Sequence, residues 1–161
     1  IIWGGGQESL LRSGTENVPG ICGFGMAAEK VSGALDDNLT MITRLKERFV
    51  KALKDSIPGI TINSPGDSSP YILNTSFPAL KAEVLLHHLE ERNIYVSTGS
   101  ACSSRKSRHS HVLEAMGRTG PELEGAIRFS FSTYNDERQI DEAIRALMEI
   151  VPSIQYESGG R

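Results

Sequence analysis

Cys102 lies in the run Ser97-Thr98-Gly99-Ser100-Ala101-Cys102-Ser103-Ser104, after the apolar Ile94-Tyr95-Val96 and ahead of a basic segment from Arg105 to Arg108. A thiol placed where a strand gives way to a small-residue loop is open to other molecules. The thiolate is the nucleophilic form, and nearby positive charge raises its fraction; Arg105, Lys106 and Arg108 supply that charge. In the other reading Cys102 is a small packed hydrophobe, as most free cysteines are. Arg128 sits in the alternating run Ile127-Arg128-Phe129-Ser130-Phe131-Ser132, on the polar face of a strand. A guanidinium fork held on a rigid strand suits the bidentate grip of a carboxylate and so amino-acid recognition, although strand arginines also serve as surface ion-pair partners. Thr15, in Arg12-Ser13-Gly14-Thr15, precedes a helix. Such a turn offers N–H groups and a hydroxyl to a phosphate, or simply starts the helix.

Other suggestive residues carry less. Gly4-Gly5-Gly6 lacks the spacing and the terminal lysine of a P-loop, which excludes nucleoside-triphosphate binding of that kind. His87 and His88 are adjacent on a helix and point about 100° apart, so they read as solvated surface. His109 and His111 follow Cys102 closely, but three such groups on one loop rarely make a metal centre, and no metal site is expected.

The elements that must position these residues alternate in an α/β manner. Ile1-Ile2-Trp3 reads as the end of a strand, and with no initiator methionine the chain is expected to start inside something larger. Ile21, Phe24, Ala28, Val31, Leu35, Leu39, Ile42, Leu45, Phe49 and Leu53 recur at steps of three and four, an amphipathic helix. Asn17 and Pro19 start it and Pro58-Gly59 stop it. A helix over 18–57 exceeds the width of a domain of this size, so it is expected to bridge two domains or to bend where Gly33 weakens it. Short strands follow at 60–63 and 72–77, then a helix over 81–92, a strand at 94–97 that delivers Cys102, and a helix over 110–116 stopped by Gly117. Pro121 opens a helical turn, 127–132 is a strand, and Asn135 is the expected N-cap of a last helix with Ile140, Ala143, Ile144, Leu147 and Val151 as its buried stripe. The tail after Ile154 is expected to fray.

Composition narrows the function classes. The 161 residues, 39% of them hydrophobic, fit an ordinary globular domain. Seventeen basic against twenty acidic residues, a net charge of −3, argue against nucleic acid or an anionic membrane as the main partner. No segment reads as a membrane span or signal peptide. Two cysteines make no disulfide framework, so a reducing cytoplasm is expected, with Cys22 packed in the first helix.

Five motifs in register point to a family. Gly4-Gly5-Gly6-Gln7-Glu8, Arg12-Ser13-Gly14-Thr15-Glu16-Asn17, Leu73-Asn74-Thr75-Ser76-Phe77, Ser97-Thr98-Gly99-Ser100-Ala101-Cys102 and Ile127-Arg128-Phe129-Ser130 resemble, in order and spacing, the C-terminal part of cysteine desulfurases. These are pyridoxal-phosphate enzymes of the class V aminotransferase group, fold type I. The resemblance covers almost the whole chain and implies four regions: 1–17 the end of a large cofactor domain, 18–57 a bridging helix, 58–155 a small C-terminal domain carrying the cysteine loop, and 156–161 a frayed tail. It implies an α+β domain with a small mixed or antiparallel sheet flanked by helices.

The resemblance also implies roles. Cys102 matches the nucleophile that takes sulfur from L-cysteine as a persulfide and leaves L-alanine. Arg128 matches the arginine that grips the substrate carboxylate, and Thr15 the threonine that reaches a neighbouring subunit's cofactor phosphate, which makes a homodimer necessary. The cysteine loop matches the longer, mobile subgroup, which hands sulfur to an acceptor such as an iron–sulfur scaffold protein. The family's Schiff-base lysine, stacking histidine and pyridine-nitrogen aspartate lie upstream of the glycine run; Lys30, Lys46 and Lys81 match no such role, so this chain alone is expected to be inactive. Where relatives often continue Gly-Arg after the arginine motif, this chain has Ser132-Thr133. Selenocysteine lyase, which shares the fold, and a non-catalytic persulfide carrier are the competing functions.

Overall fold

The computed structural model describes residues 2–78, 80–98 and 110–159, with side chains described as far as Gln155 in the last helix. Cys102 and the basic segment after it lie outside the described residues. Two compact units emerge, Ile1–Asp37 and Asn38–Arg161.

In the first unit an isolated parallel bridge joins Ile2 and Arg12, fixed by Ile2 N to Leu11 O (3.2 Å) and Ser13 N to Ile2 O (3.2 Å). Helix α1 (Val18–Gly33) begins as expected. Asn17 Oδ1 accepts from Gly20 N at 3.1 Å, and Pro19 occupies the first turn, where no N–H is needed. The helix expected over 18–57 is not continuous but is interrupted at Gly33, the weak point the sequence marks. Ala34 leaves helical geometry (φ −112°, ψ 7°) beside Gly33, and α2 (Leu35–Ser56) starts afresh. Glycine lowers helix stability by about 1 kcal/mol per residue relative to alanine, and α1 holds four. The apolar stripe divides within α2: Phe24 and Val31 of α1 and Leu35 and Leu39 at the start of α2 are exposed, whereas Ile42, Leu45, Phe49 and Leu53 are at most 3% exposed. Cys22, expected to be packed, is exposed on α1.

The second unit is built on a four-stranded antiparallel sheet in the order β1-β2-β4-β3, with β1 (Thr61–Ile62), β2 (Ile72–Ser76), β3 (Ser97–Thr98) and β4 (Ala126–Ser130). This is the small antiparallel sheet of a mixed α/β domain. Leu73 and Thr75 of β2 pair with Phe129 and Ile127 of β4 on one face, where they meet the buried stripes of α2, α3 (Ala82–Glu90) and α6 (Glu137–Gly159). Phe49 sits edge-on to Phe129 (centroids 4.9 Å apart) and Phe131 (5.8 Å), a favoured aromatic geometry. Arg48 clamps α2 to α6 through two 2.9 Å bonds to Asp141, and that contact holds the Asp141 carboxyl below its ordinary value.

Several boundaries differ from expectation for local reasons. The strand expected at 94–97 is confined to Ser97–Thr98, because Asn93 takes a left-handed conformation (φ 59°) and Ile94 N bonds back to Leu89 O at 2.9 Å to close α3. The last helix is capped by Asp136 rather than Asn135. Gln139 N donates to Asp136 Oδ1 (2.8 Å) while Gln139 Oε1 accepts from Asp136 N (3.3 Å), a reciprocal box, and Asn135 Oδ1 instead accepts from Ser132 N. Its backbone stays helical through Pro152 to Gly159, beyond the point where fraying was expected. Gly117 stops α4 (His111–Ala115) in a left-handed turn (φ 79°), and Pro121 opens α5 (Pro121–Glu124), both as the sequence indicates.

Gly125 joins α5 to β4. Its carbonyl accepts from Phe77 N at 2.9 Å, and a Cβ there would collide with the Phe77 carbonyl oxygen, a backbone atom that cannot step aside. Because its φ of −95° suits any residue, crowding alone forbids a side chain. Gly125→Ala is expected to lower unfolding free energy by about 2–3 kcal/mol, read as a drop in the denaturant midpoint.

Candidate functional site

On the sheet face opposite the core, polar side chains form a row across β2, β4 and β3. Arg128 of β4 is exposed and lies directly opposite Asn74 of β2 on one side and Ser97 of β3 on the other. Asn63, the residue after β1, extends the row: its N–H donates to Asn74 O at 2.9 Å. Strand alternation sends Ile127 and Phe129 to the core and Arg128 away from it, so the charge costs the core nothing.

The row floors a cavity of about 330 Å³. Asn63, Asn74, Ser97, Ser110 and Arg128 supply polar groups to it, and Met116 with its neighbours on α4 supplies an apolar wall. Few convergent polar groups beside an apolar wall are what a small-molecule site requires. Among the described residues Arg128 makes no ion pair or side-chain hydrogen bond. None of the five donors of its guanidinium is taken up among the described residues, in contrast to Arg44, Arg48, Arg92, Arg118 and Arg138, each of which holds a carboxylate.

Beneath the row the hydrogen bonds form a chain. Ser76 Oγ donates to Glu122 O (2.6 Å), Asn63 Nδ2 donates to Ser76 Oγ (2.7 Å) and to Asn74 Oδ1 (2.7 Å), and Asn74 N donates to Ser64 Oγ (2.8 Å). Asn63 and Ser76 are buried, at 3% and 0% exposure. Sequence reading gave Asn63 and Asn74 no role. Alternation in 72–76 marks Asn74 as off the core, but nothing local marks its partners.

Of the other expected residues, Thr15 lies in the first unit, exposed, with only its carbonyl engaged by Arg12 (3.5 Å). Its hydroxyl makes no hydrogen bond among the described residues. Cys102 falls outside them; Ser97 and Ser110, which precede and follow its segment in the chain, both line the cavity. His87 and His88 are solvated and paired with Glu90 (3.1 Å) and Glu91 (3.8 Å). Lys46 bonds Ser68 Oγ (3.0 Å) and Ser69 O (2.9 Å), and partial burial pulls its pKa down, but it does not line the cavity.

Residues 5–143 match the family model described as aminotransferase class-V. A cysteine desulfurase of Sinorhizobium fredii (strain NBRC 101917 / NGR234) is 36% identical over 156 residues, covering 96% of this chain and 40% of the relative. One from Nostoc sp. (strain PCC 7120 / SAG 25.82 / UTEX 2576) is 40% identical over 158 residues, covering 96% and 39%. Among solved structures, a NifS-like protein superposes with a TM-score of 0.76 at 37% identity, covering 95% of this chain and 39% of the other. A NifS-like protein from Rickettsia africae ESF-5 gives 0.73 at 34% identity, with 96% and 40% covered. The chain thus spans about 40% of the length of the curated relatives it matches.

Proposed function

This chain belongs to the aminotransferase class-V family, and from that premise we propose that it forms the carboxylate-gripping and sulfur-accepting part of a pyridoxal-phosphate-dependent cysteine desulfurase. The observation that carries the reading is Arg128: a guanidinium with no ion pair or side-chain hydrogen bond among the described residues, lining a cavity that Ser97 and Ser110, on either side of the Cys102 segment in sequence, also line.

The residues present fit a share of the cofactor's contacts. Thr15 offers a hydroxyl unengaged among the described residues and suited to a phosphate oxygen, and Arg128 offers a fork suited to the substrate rather than to the cofactor. No lysine lines the Arg128 cavity among the described residues. When bound, pyridoxal phosphate supplies the electron sink for the substrate's amino carbon. Arg128 fixes the substrate carboxylate in two parallel bonds and so sets the direction in which the substrate's sulfur points. Cys102, as thiolate, attacks that sulfur; an S–S bond forms as the substrate's Cβ–S bond breaks, and the electron pair leaves with Cβ. A proton takes the place of sulfur on Cβ, so alanine departs and Cys102 keeps the sulfur as a persulfide. The outer sulfur then passes to a cysteine thiolate of an acceptor protein of the iron–sulfur scaffold kind: a new S–S bond forms as the bond to Cys102 breaks, and Cys102 leaves as thiolate. Thr15 acts across a subunit boundary, so the working unit is a homodimer. The four-region division, with 58–155 as the small domain, belongs to the same proposal. Among the described residues no helix is long and apolar enough to cross a membrane, and with two cysteines and no disulfide framework the composition supports a reducing, cytoplasmic setting.

The test is the complete gene product incubated with pyridoxal phosphate, L-cysteine and a reductant. One alanine per sulfide is expected, and absence of alanine defeats the reading. Preference for selenocysteine would reassign it as the lyase. The 161-residue chain alone is expected to show neither cofactor absorbance nor alanine release.

A further inference from the structure

We infer that Asn74 is a second donor to the carboxylate held by Arg128, its amide turned donor-outward by the buried Asn63–Ser76 chain. The inference rests on the proposed role of Arg128 as the carboxylate grip.

Two observations carry it. The first is register. Asn74 N and O both engage the β1 side, through Ser64 Oγ (2.8 Å) and Asn63 N (2.9 Å). A strand residue's N–H and C=O point the same way, so toward β4 the Asn74–Arg128 pair is a non-hydrogen-bonded one. Such pairs bring Cα atoms to about 4.5 Å and their side chains closest together. Both side chains line the same cavity.

The second is proton accounting. Ser76 has one hydroxyl proton, and it goes to Glu122 O at 2.6 Å, a carbonyl that can only accept. The Asn63 atom 2.7 Å from Ser76 Oγ must therefore be a donor, Nδ2. The reverse orientation would set two acceptors against each other at that distance. The same Nδ2 is 2.7 Å from the Asn74 side chain, so the Asn74 atom facing it must be an acceptor, Oδ1. Asn74 Nδ2, with two protons and no partner among the described residues, is left to face away from Asn63. The arrangement leaves Asn63 Oδ1 without a partner among the described residues. A carboxylate has about four lone-pair positions; the Arg128 fork fills two, and the Asn74 amide can meet a third.

The test compares L-alanine, which carries the carboxylate, with L-alaninamide, which does not, by calorimetric titration of the complete gene product. Asn74→Asp is the main variant. It keeps the shape and still accepts from Asn63, but replaces two donors with a negative charge. L-alanine should bind at least tenfold more weakly to it, and L-alaninamide within about twofold of the parent, since a hydrogen bond to a charged group is worth a tenfold factor or more. Asn74→Ala should show the same selectivity with a smaller loss. Equal weakening of both ligands would mean a merely structural role and overturn the inference. So would parent-like L-alanine binding by Asn74→Asp while Arg128→Ala loses it, which leaves the Arg128 reading intact. Parent-like binding by Arg128→Ala would defeat the underlying reading itself.

Discussion

Replacing Cys102 by serine is expected to cut alanine production from L-cysteine by on the order of 10³-fold or more, with folding and amino-acid binding unchanged. A cysteine is a few per cent thiolate at neutral pH even when unassisted, whereas a serine hydroxyl stays protonated and attacks divalent sulfur poorly. Mass spectrometry after turnover provides the second readout: the parent should carry an extra sulfur on Cys102 and the variant none. Cys22 is the necessary control, because it is exposed rather than packed and is the other cysteine in the chain. An adduct on Cys22, or full activity in Cys102→Ser, would remove Cys102 from the mechanism. Cys22→Ser should behave like the parent.

The sequence is most readable where one local rule decides the outcome. The α6 stripe of Ile140, Ile144, Leu147 and Val151 is buried as its period indicates, and Gly117 ends α4 in the left-handed turn that only glycine adopts cheaply. Period alone, however, cannot say what covers a face. Phe24 and Phe49 look alike in the repeat, yet one is 78% and the other 1% exposed. Nor does it mark a break: the repeat runs unbroken past Ala34, where the backbone leaves the helix. The cap of α6 moved by one residue because Asp136 and Gln139 satisfy each other, a pairwise term that a ranking of single residues misses.

The site shows the same limit more sharply. Arg128 is legible as a polar residue in an alternating strand, but its neighbours are not, because the strand order β1-β2-β4-β3 is not the chain order. Asn63, Asn74, Ser97 and Arg128 share one row only after β4 has inserted between β2 and β3. No local pattern relates Ser76 to Glu122, 46 positions apart, yet that bond decides which way two amides point. Topology, a non-local property, brings four unremarkable polar residues together in the lining of one cavity.

Arg128→Ala should raise the KM for L-cysteine about 100-fold in the complete gene product, since two charge-assisted bonds of about 1.5 kcal/mol or more each are lost together. Stability should hardly move. The guanidinium is exposed and makes no ion pair among the described residues, and substitutions at such positions stay within about 0.5 kcal/mol. That combination, a large kinetic loss on an unchanged melting curve, distinguishes a ligand-binding arginine from a structural one. Arg128→Lys sharpens the case: it keeps the charge but presents a single ammonium in place of the planar fork, so it should recover only part of the loss. Full recovery by lysine would mean that charge alone attracts the substrate. An unchanged KM in Arg128→Ala would mean that the cavity beside Asn74 binds something other than the substrate's carboxylate. A fall in kcat beyond the rise in KM would add that the grip also aims the sulfur, because a carboxylate held loosely lets the reacting atom drift from the approaching thiolate.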